Sequence, residues 1–295
     1  MATHSINFGG LRASLFGNAN RIGVEFSVPF RWLSPTRAKA ADRLERVAFR
    51  ANIPEAAAVE DRISGITWYH TIDLGNGMIT PGFFDHRPIL ERYRVPERLD
   101  GMRVLDIATF DGFWAFEFER RGAAEVIAID IPSRQELDLP FGQCSKIIKE
   151  ELGSPLGAGF QLAREVLRSD VRYEQCSVYD LTPERFGVFD FIHCGDLLIH
   201  LRDPALALWR IRAVTGGQAL VSECFDPDLD RYDSGQLLKY EGGRQDNIWW
   251  RFTASALRAM IADAGFRRVS ELSRFRYGPR GERETVWHAV FRAEP

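Results

Sequence analysis

Cysteine is scarce in this 295-residue chain, and long apolar runs are missing. The four cysteines, Cys144, Cys176, Cys194 and Cys224, form no CxxC and no other metal-ligand spacing. At that density a disulfide framework is excluded, and no metal site is expected. Cys176, Cys194 and Cys224 lie in or beside apolar runs and read as reduced core thiols. No segment approaches the roughly 20 apolar residues of a membrane helix. Met1 to Gly10 also lacks the basic-then-apolar pattern of a secretory signal. The expectation is a cytoplasmic protein with no membrane partner. Charge imbalance is small: the net charge is -3 and the pI about 6.1. That gives no overall attraction to nucleic acid or to an anionic membrane. Locally, Arg31, Arg37, Lys39, Arg43, Arg46 and Arg50 make a basic stretch, readable as a solvated helix face or a phosphate-binding face. There is no internal repeat and no low-complexity segment. Apolar residues at 45% and charged ones at 27% describe a globular chain and not a disordered one.

Pattern divides the rest. Up to about Arg98 it is irregular. Arg12 to Phe16 and Ile22 to Val28 read as two short strands about the turn Gly17-Asn18-Ala19-Asn20. Ala40, Leu44, Val47 and Ala51 place a helix over Arg37 to Asn52. Trp68 to Leu74 is β-like, followed by turns at Gly75-Asn76-Gly77 and Thr80-Pro81-Gly82. From Gly101 buried-type strands alternate with helices: Arg103 to Ala108, Glu125 to Ile131, Val171 to Val178, Phe189 to Cys194 and Gln218 to Phe225, with helices at Gly112 to Arg121 and Pro204 to Val214. A helix from Thr253 to Ala264 and two closing strands, Arg268 to Leu272 and Thr285 to Arg292, complete the chain. The expected fold is α/β: a doubly wound, mostly parallel seven-stranded sheet, residues 99–295, with an N-terminal extension over 1–98 acting as lid, substrate contact or dimer contact.

The chemistry centres on Val104-Leu105-Asp106-Ile107-Ala108-Thr109-Phe110-Asp111-Gly112. A strand runs into a tight turn and then a helix, at the place where open α/β sheets bind ligands. The second strand ends in Asp130, 24 residues after Asp106, placed to accept from both hydroxyls of a ribose. A dinucleotide loop wants G-x-G-x-x-G; here Phe110 would obstruct a pyrophosphate and Asp111 would repel it. S-adenosylmethionine carries a sulfonium cation and no phosphate, so an acidic loop suits it better. Asp106 can serve its amino group. A nicotinamide dehydrogenase and any other doubly wound domain are the competing readings.

The run from Val104 to Asp130 resembles class I S-adenosylmethionine-dependent methyltransferases. Three further segments, Trp68 to Gly82, Phe189 to Pro204 and Asn247 to Phe252, are similar to the branch holding the wobble-uridine carboxymethyl-transferring tRNA enzymes and uncharacterised relatives. The commonest family loop is D-x-G-x-G-x-G. Here Ala108 and Phe110 take the first two glycine places, and Gly112 keeps the third. The resemblance implies a cofactor site of Asp106, Ala108, Phe110 and Gly112 in the loop and Asp130 with Ile131 after the second strand. It adds Ser177, Val178 and Tyr179 at the adenine, and Cys194 with Gly195 at the methionyl end. Where those tRNA enzymes have L-Y-H, this chain has Leu198-Ile199-His200, and Ile199 cannot donate a hydrogen bond to a carboxylated cofactor. Ordinary methyl transfer is therefore expected.

His200, His70 and Asp196 are the candidate catalytic groups, since a hydroxyl acceptor needs a base and histidine suits that role near neutral pH. Trp68, Trp249 and Trp250 are candidates for an aromatic wall about the substrate, or for core packing. Three functions stand side by side: methylation of a small-molecule acceptor on O or N, modification of a tRNA wobble base, and non-catalytic nucleoside binding. Oligomeric state is left open.

Overall fold

The computed structural model describes residues 4–8, 11–18, 21–27, 53–140, 156–229, 235–243, 247–282 and 285–295, with side chains from residue 58 onward. The chain divides into two compact units, Met1–Arg50 and Ala51–Pro295. In the first, β1 (His4–Phe8), β2 (Leu11–Asn18) and β3 (Arg21–Ser27) form an antiparallel sheet in that order. The two strands expected there are present as β2 and β3, with Gly17 and Asn18, expected in the turn, inside β2 because they pair with Ile22 and Arg21. The helix expected over 37–52 and Cys144 lie outside the described residues. The second unit begins ahead of residue 98, where the sheet pattern was expected to start.

That unit opens with α1 (Ile53–Ser64) and continues β4 (Arg103–Ile107), α2 (Phe113–Arg120), β5 (Glu125–Asp130), α3 (Ala158–Leu167), β6 (Arg172–Gln175), α4 (Pro183–Phe186), β7 (Phe189–Gly195), α5 (Pro204–Ala213), β8 (Thr215–Phe225), β9 (Leu238–Tyr240), β10 (Trp250–Phe252), α6 (Ala254–Asp263), β11 (Arg268–Tyr277) and β12 (Val286–Glu294). Seven strands form one sheet in the order β11-β12-β8-β7-β4-β5-β6. The five from β6 to β8 run parallel, and β12 is antiparallel to both of its neighbours. Strand order reverses at β4, which makes its carboxyl end the switch point.

The apolar strands are buried on both faces, and their alternation splits the core in two. Leu105, Ile107, Ile127 and Ile129 face α5 and α6 residues such as Leu208 and Leu257. Val104, Val126 and Ala128 face Trp114 and Phe118 of α2 and Phe160 of α3. Helix starts follow their local signals. Asp203 caps α5 by accepting from Leu206 N–H, with Pro204 at the first position, and Thr253 caps α6 by accepting from Ala256 N–H.

The stretch Trp68–Leu74 is no regular strand. It folds back on Thr80–Phe84 through isolated bridges, His70 to Phe84 and Asp73 to Ile79. Thr71 N–H donates to Phe84 C=O at 2.7 Å and Thr80 N–H to Ile72 C=O at 2.9 Å. The two backbones approach so closely that a Cβ at Gly82 would lie 2.0 Å from the His70 carbonyl carbon, so only glycine fits there.

Candidate active site

A cavity of about 290 Å³ opens at the carboxyl ends of β4, β5 and β7. Ala108, Phe110 and Gly112 all have positive φ, at 56°, 51° and 89°. The loop thus keeps a left-handed conformation at two non-glycine residues, which costs roughly 1–2 kcal/mol each. Phe110 lines the cavity, its ring 4.8 Å from that of Tyr69. Gly112 does not line it. A Cβ there would lie 2.6 Å from the rings of Phe116 and Phe160, so its part is helix packing.

Two carboxylates fix the loop. Asp130, at the end of β5, accepts from Phe110 N–H at 2.9 Å and Ile131 N–H at 2.8 Å. Burial outweighs these bonds and pushes its pKa up to about 6. Each oxygen keeps a lone pair for a ligand. Asp111 turns away from the cavity. It accepts from Tyr69 N–H at 2.6 Å and His70 N–H at 2.9 Å, pinning the Trp68–Gly82 stretch to the loop. It too is raised by burial to about 6. Asp106 is 1% exposed and holds His193 Nδ1 at 2.9 Å and Thr109 Oγ1 at 2.7 Å. Among the described residues His193 Nε2 has no partner, and His193 lines the cavity.

Asp106, Ala108, Phe110, Asp130, Ile131, Ser177, Val178, Tyr179 and Gly195 of the expected cofactor set share this one cavity. Cys194 is 1% exposed and does not line it, because alternation along β7 turns it into the sheet's other core. Tyr179 donates to Asp138 Oδ2 at 2.6 Å, and Asp138 also receives Arg202 N–H at 2.8 Å.

His70, Asp196 and His200 also line the cavity. His70 is 5% exposed, its Nδ1 has no partner among the described residues, and burial with the nearby His86 and His193 holds its pKa well below the usual imidazole range. His86, which motif reasoning passed over, faces the same space and is lowered by burial to about 4. His200 Nδ1 lies 3.0 Å from Asn247 C=O. Asp196 follows β7 with φ 48° and lies 3.2 Å from His288 Nε2. Burial opposes its charge, but His288 wins and the net pKa is lowered; that of His288 is raised in return.

The three tryptophans do not form a wall. Trp68 is 2% exposed and donates to Ile63 C=O at 2.9 Å. Trp249 is 6% exposed and donates to Asp138 C=O, and Trp250 donates to Arg202 C=O at 3.3 Å. None lines the cavity. All three anchor segments behind it, since a large apolar ring gains more from core burial than from facing solvent.

Among the described lining residues, Asp106, Asp130, Glu136, Asp138 and Asp196 are acidic, against one arginine, Arg134. Such a wall favours a cationic ligand and repels phosphates.

The profile of a methyltransferase-domain family matches residues 85–271, more than half of the chain. Ubiquinone biosynthesis O-methyltransferases of Acinetobacter baumannii, strains AYE and ACICU among them, are 28% identical over 107 residues. That match spans 36% of this chain and 36% of theirs, little over a third of those relatives' length. Among solved structures, the N-terminal domain of EvdMO1 in the presence of SAH and D-fucose superposes with a TM-score of 0.54 at 16% identity, covering 81% of this chain and 96% of that one. The same domain with SAH bound gives 0.53 at 15% identity with the same coverage. At such identity the likeness is one of fold.

Proposed function

The chain belongs to the methyltransferase-domain family, the class I S-adenosylmethionine-dependent enzymes, and from that premise we propose that it methylates a hydroxyl oxygen of a small, non-anionic acceptor. The observation that carries this reading is the acid-rich cavity at the carboxyl ends of the sheet strands, with His70, His86, His193 and His200 in its lining. Asp130 fits the ribose hydroxyls, the Ser177–Tyr179 turn fits the adenine edge, and Asp106 with Gly195 fits the methionyl end. The sulfonium would then face His70, His86 and Asp196. An O-methyltransferase activity in the ubiquinone relatives fits a hydroxyl acceptor. The five acidic lining residues and single arginine speak against a polyanionic RNA.

His70 serves as the base. Burial keeps it neutral at the cost of basicity, and its buried Nδ1, without a partner among the described residues, takes the hydroxyl proton once a seated acceptor reaches it. Bound S-adenosylmethionine would supply the methyl group, and the residues about His70 and Asp196 would orient the acceptor oxygen in line with its methyl carbon. Asp111 holds the Trp68–Gly82 stretch as the cover of this end.

The test is release of S-adenosylhomocysteine with a panel of small hydroxyl acceptors and with bulk tRNA. Turnover with a small acceptor, reduced about a hundredfold or more in kcat by His70→Gln with cofactor affinity kept, supports the reading. Turnover with tRNA alone, or none with any acceptor, contradicts it.

A further inference from the structure

Asp196, Cys224 and His288 follow three different strands or lie within them, yet their donor atoms all fall within 4.8 Å of one another. Asp196 Oδ1 and His288 Nε2 are 3.2 Å apart, Cys224 Sγ and His288 Nε2 3.2 Å, and Cys224 Sγ and Asp196 Oδ1 3.6 Å. We propose that these three side chains bind a divalent transition-metal ion, zinc foremost, at the acceptor end of the cavity.

The edge lengths carry the first part of the case. Zinc bonds of about 2.3 Å to sulfur and about 2.0–2.1 Å to nitrogen or oxygen, at tetrahedral angles, give edges of roughly 3.5 Å and 3.3 Å. Each observed edge lies within about 0.4 Å of that figure. The tautomer carries the second part. His288 Nδ1 lies 3.3 Å from Val286 C=O. A carbonyl only accepts, so Nδ1 holds a proton and Nε2 is the ring atom turned toward the thiol and the carboxylate, able to bind a metal once its own proton is displaced. A backbone carbonyl behind the distal nitrogen is the arrangement that orients metal-bound histidines. Without a metal ion the Asp196 carboxylate pairs with the His288 imidazole 3.2 Å away, so metal binding displaces the Nε2 proton and keeps the carboxylate's cationic partner. The donor set supplies the third part. One thiolate, one imidazole and one carboxylate match a borderline-soft ion and not calcium or magnesium, which take oxygen ligands. The His288 side chain is 4% exposed and that of Asp196 23%, and Asp196 is the member that lines the cavity. Three protein ligands leave a fourth position for water or an acceptor oxygen. Binding by these three groups does not depend on the methyl-transfer reading; a part for the ion in activating a hydroxyl does.

The probe is cobalt(II), added to the full-length protein after treatment with a chelator. The expected result is one equivalent bound, with intense tetrahedral d–d bands in the visible and a thiolate-to-cobalt charge-transfer band, both displaced by zinc(II). Cys224→Ser abolishes the charge-transfer band, and His288→Gln weakens binding by more than about a hundredfold. Cys176→Ser keeps the spectrum. Absence of a thiolate band in the wild type, or its survival in Cys224→Ser, overturns the proposal. Should the variants fail to fold, zinc protection of one wild-type thiol from a thiol reagent decides: an unchanged reactivity profile overturns it. S-adenosylhomocysteine binding by the same preparation reports the cofactor end separately, so the two readings fail independently.

Discussion

The two ends of the cavity are built in opposite ways. The proposed cofactor end rests mainly on neighbouring pieces of chain: β4, its loop and the end of β5 bring Asp106 and Asp130 from one strand–helix–strand unit, with Ser177–Tyr179 added after β6. The proposed acceptor end is gathered from afar: His70 and His86 ahead of the sheet and Asp196 after β7 line it, with Cys224 of β8 and His288 of β12 behind Asp196. The first arrangement leaves a spacing that can be read along the chain. The second leaves only isolated polar residues in apolar strands.

Asp111 joins the two ends, and its removal has the largest expected effect. Asp111→Ala leaves the N–H groups of Tyr69 and His70 without acceptors in a buried place. A loss of about 3–4 kcal/mol in denaturant unfolding is expected, with acceptor KM rising more than cofactor Kd. A loss below about 1 kcal/mol would show that the stretch is held otherwise. Next, Asp130→Ala acts on the nucleoside end alone. Cofactor Kd rises about a hundredfold by calorimetry, equal to two charge-assisted hydrogen bonds, while cobalt uptake stays unchanged. A parallel loss of both would merge the two ends into one unit.

These two residues also show what could be read from sequence. Asp130 was legible because strand pattern and offset locate it. Asp111 was taken for a residue facing the ligand, since its position in the loop does not say which way its side chain turns. The mostly parallel seven-stranded sheet was legible in the alternation of apolar runs with helices, whereas the strand order was not. Trp68, Trp249 and Trp250 were legible as large apolar groups, but core and cavity wall attract the same rings. His86 gave no signal at all: its partner Tyr93 Oη, at 3.0 Å, and its place in the cavity arise from packing alone. The absence of metal-ligand spacing was a true statement about the sequence, yet strand ends brought Asp196, Cys224 and His288 together.

A smaller effect comes with pH, since Asp130 and Asp111 both protonate near 6. The Asp130 pKa of about 6 lies above the ordinary carboxylate value because burial disfavours its charge. Protonation removes an acceptor for the ribose hydroxyls. Cofactor Kd should therefore be flat above pH 6 and rise up to about tenfold per pH unit below it. His86, lowered to about 4, stays neutral through that window. A flat Kd down to pH 5 would contradict the role given to Asp130. The smallest effect lies in the loop. Ala108 has φ 56°, and Ala108→Gly relieves left-handed strain there. The expected gain is about 1 kcal/mol in unfolding free energy, with cofactor affinity changed less than twofold. A loss of stability would mean that the Ala108 methyl packs more than its backbone strains.

The most direct test of the two-ended cavity is a crystal structure with S-adenosylhomocysteine. The account predicts ribose oxygens on Asp130, adenine against Ser177–Tyr179, and the sulfur turned toward His70 and Asp196. A nucleoside bound away from Asp130, or a sulfur facing away from the imidazoles, would contradict it.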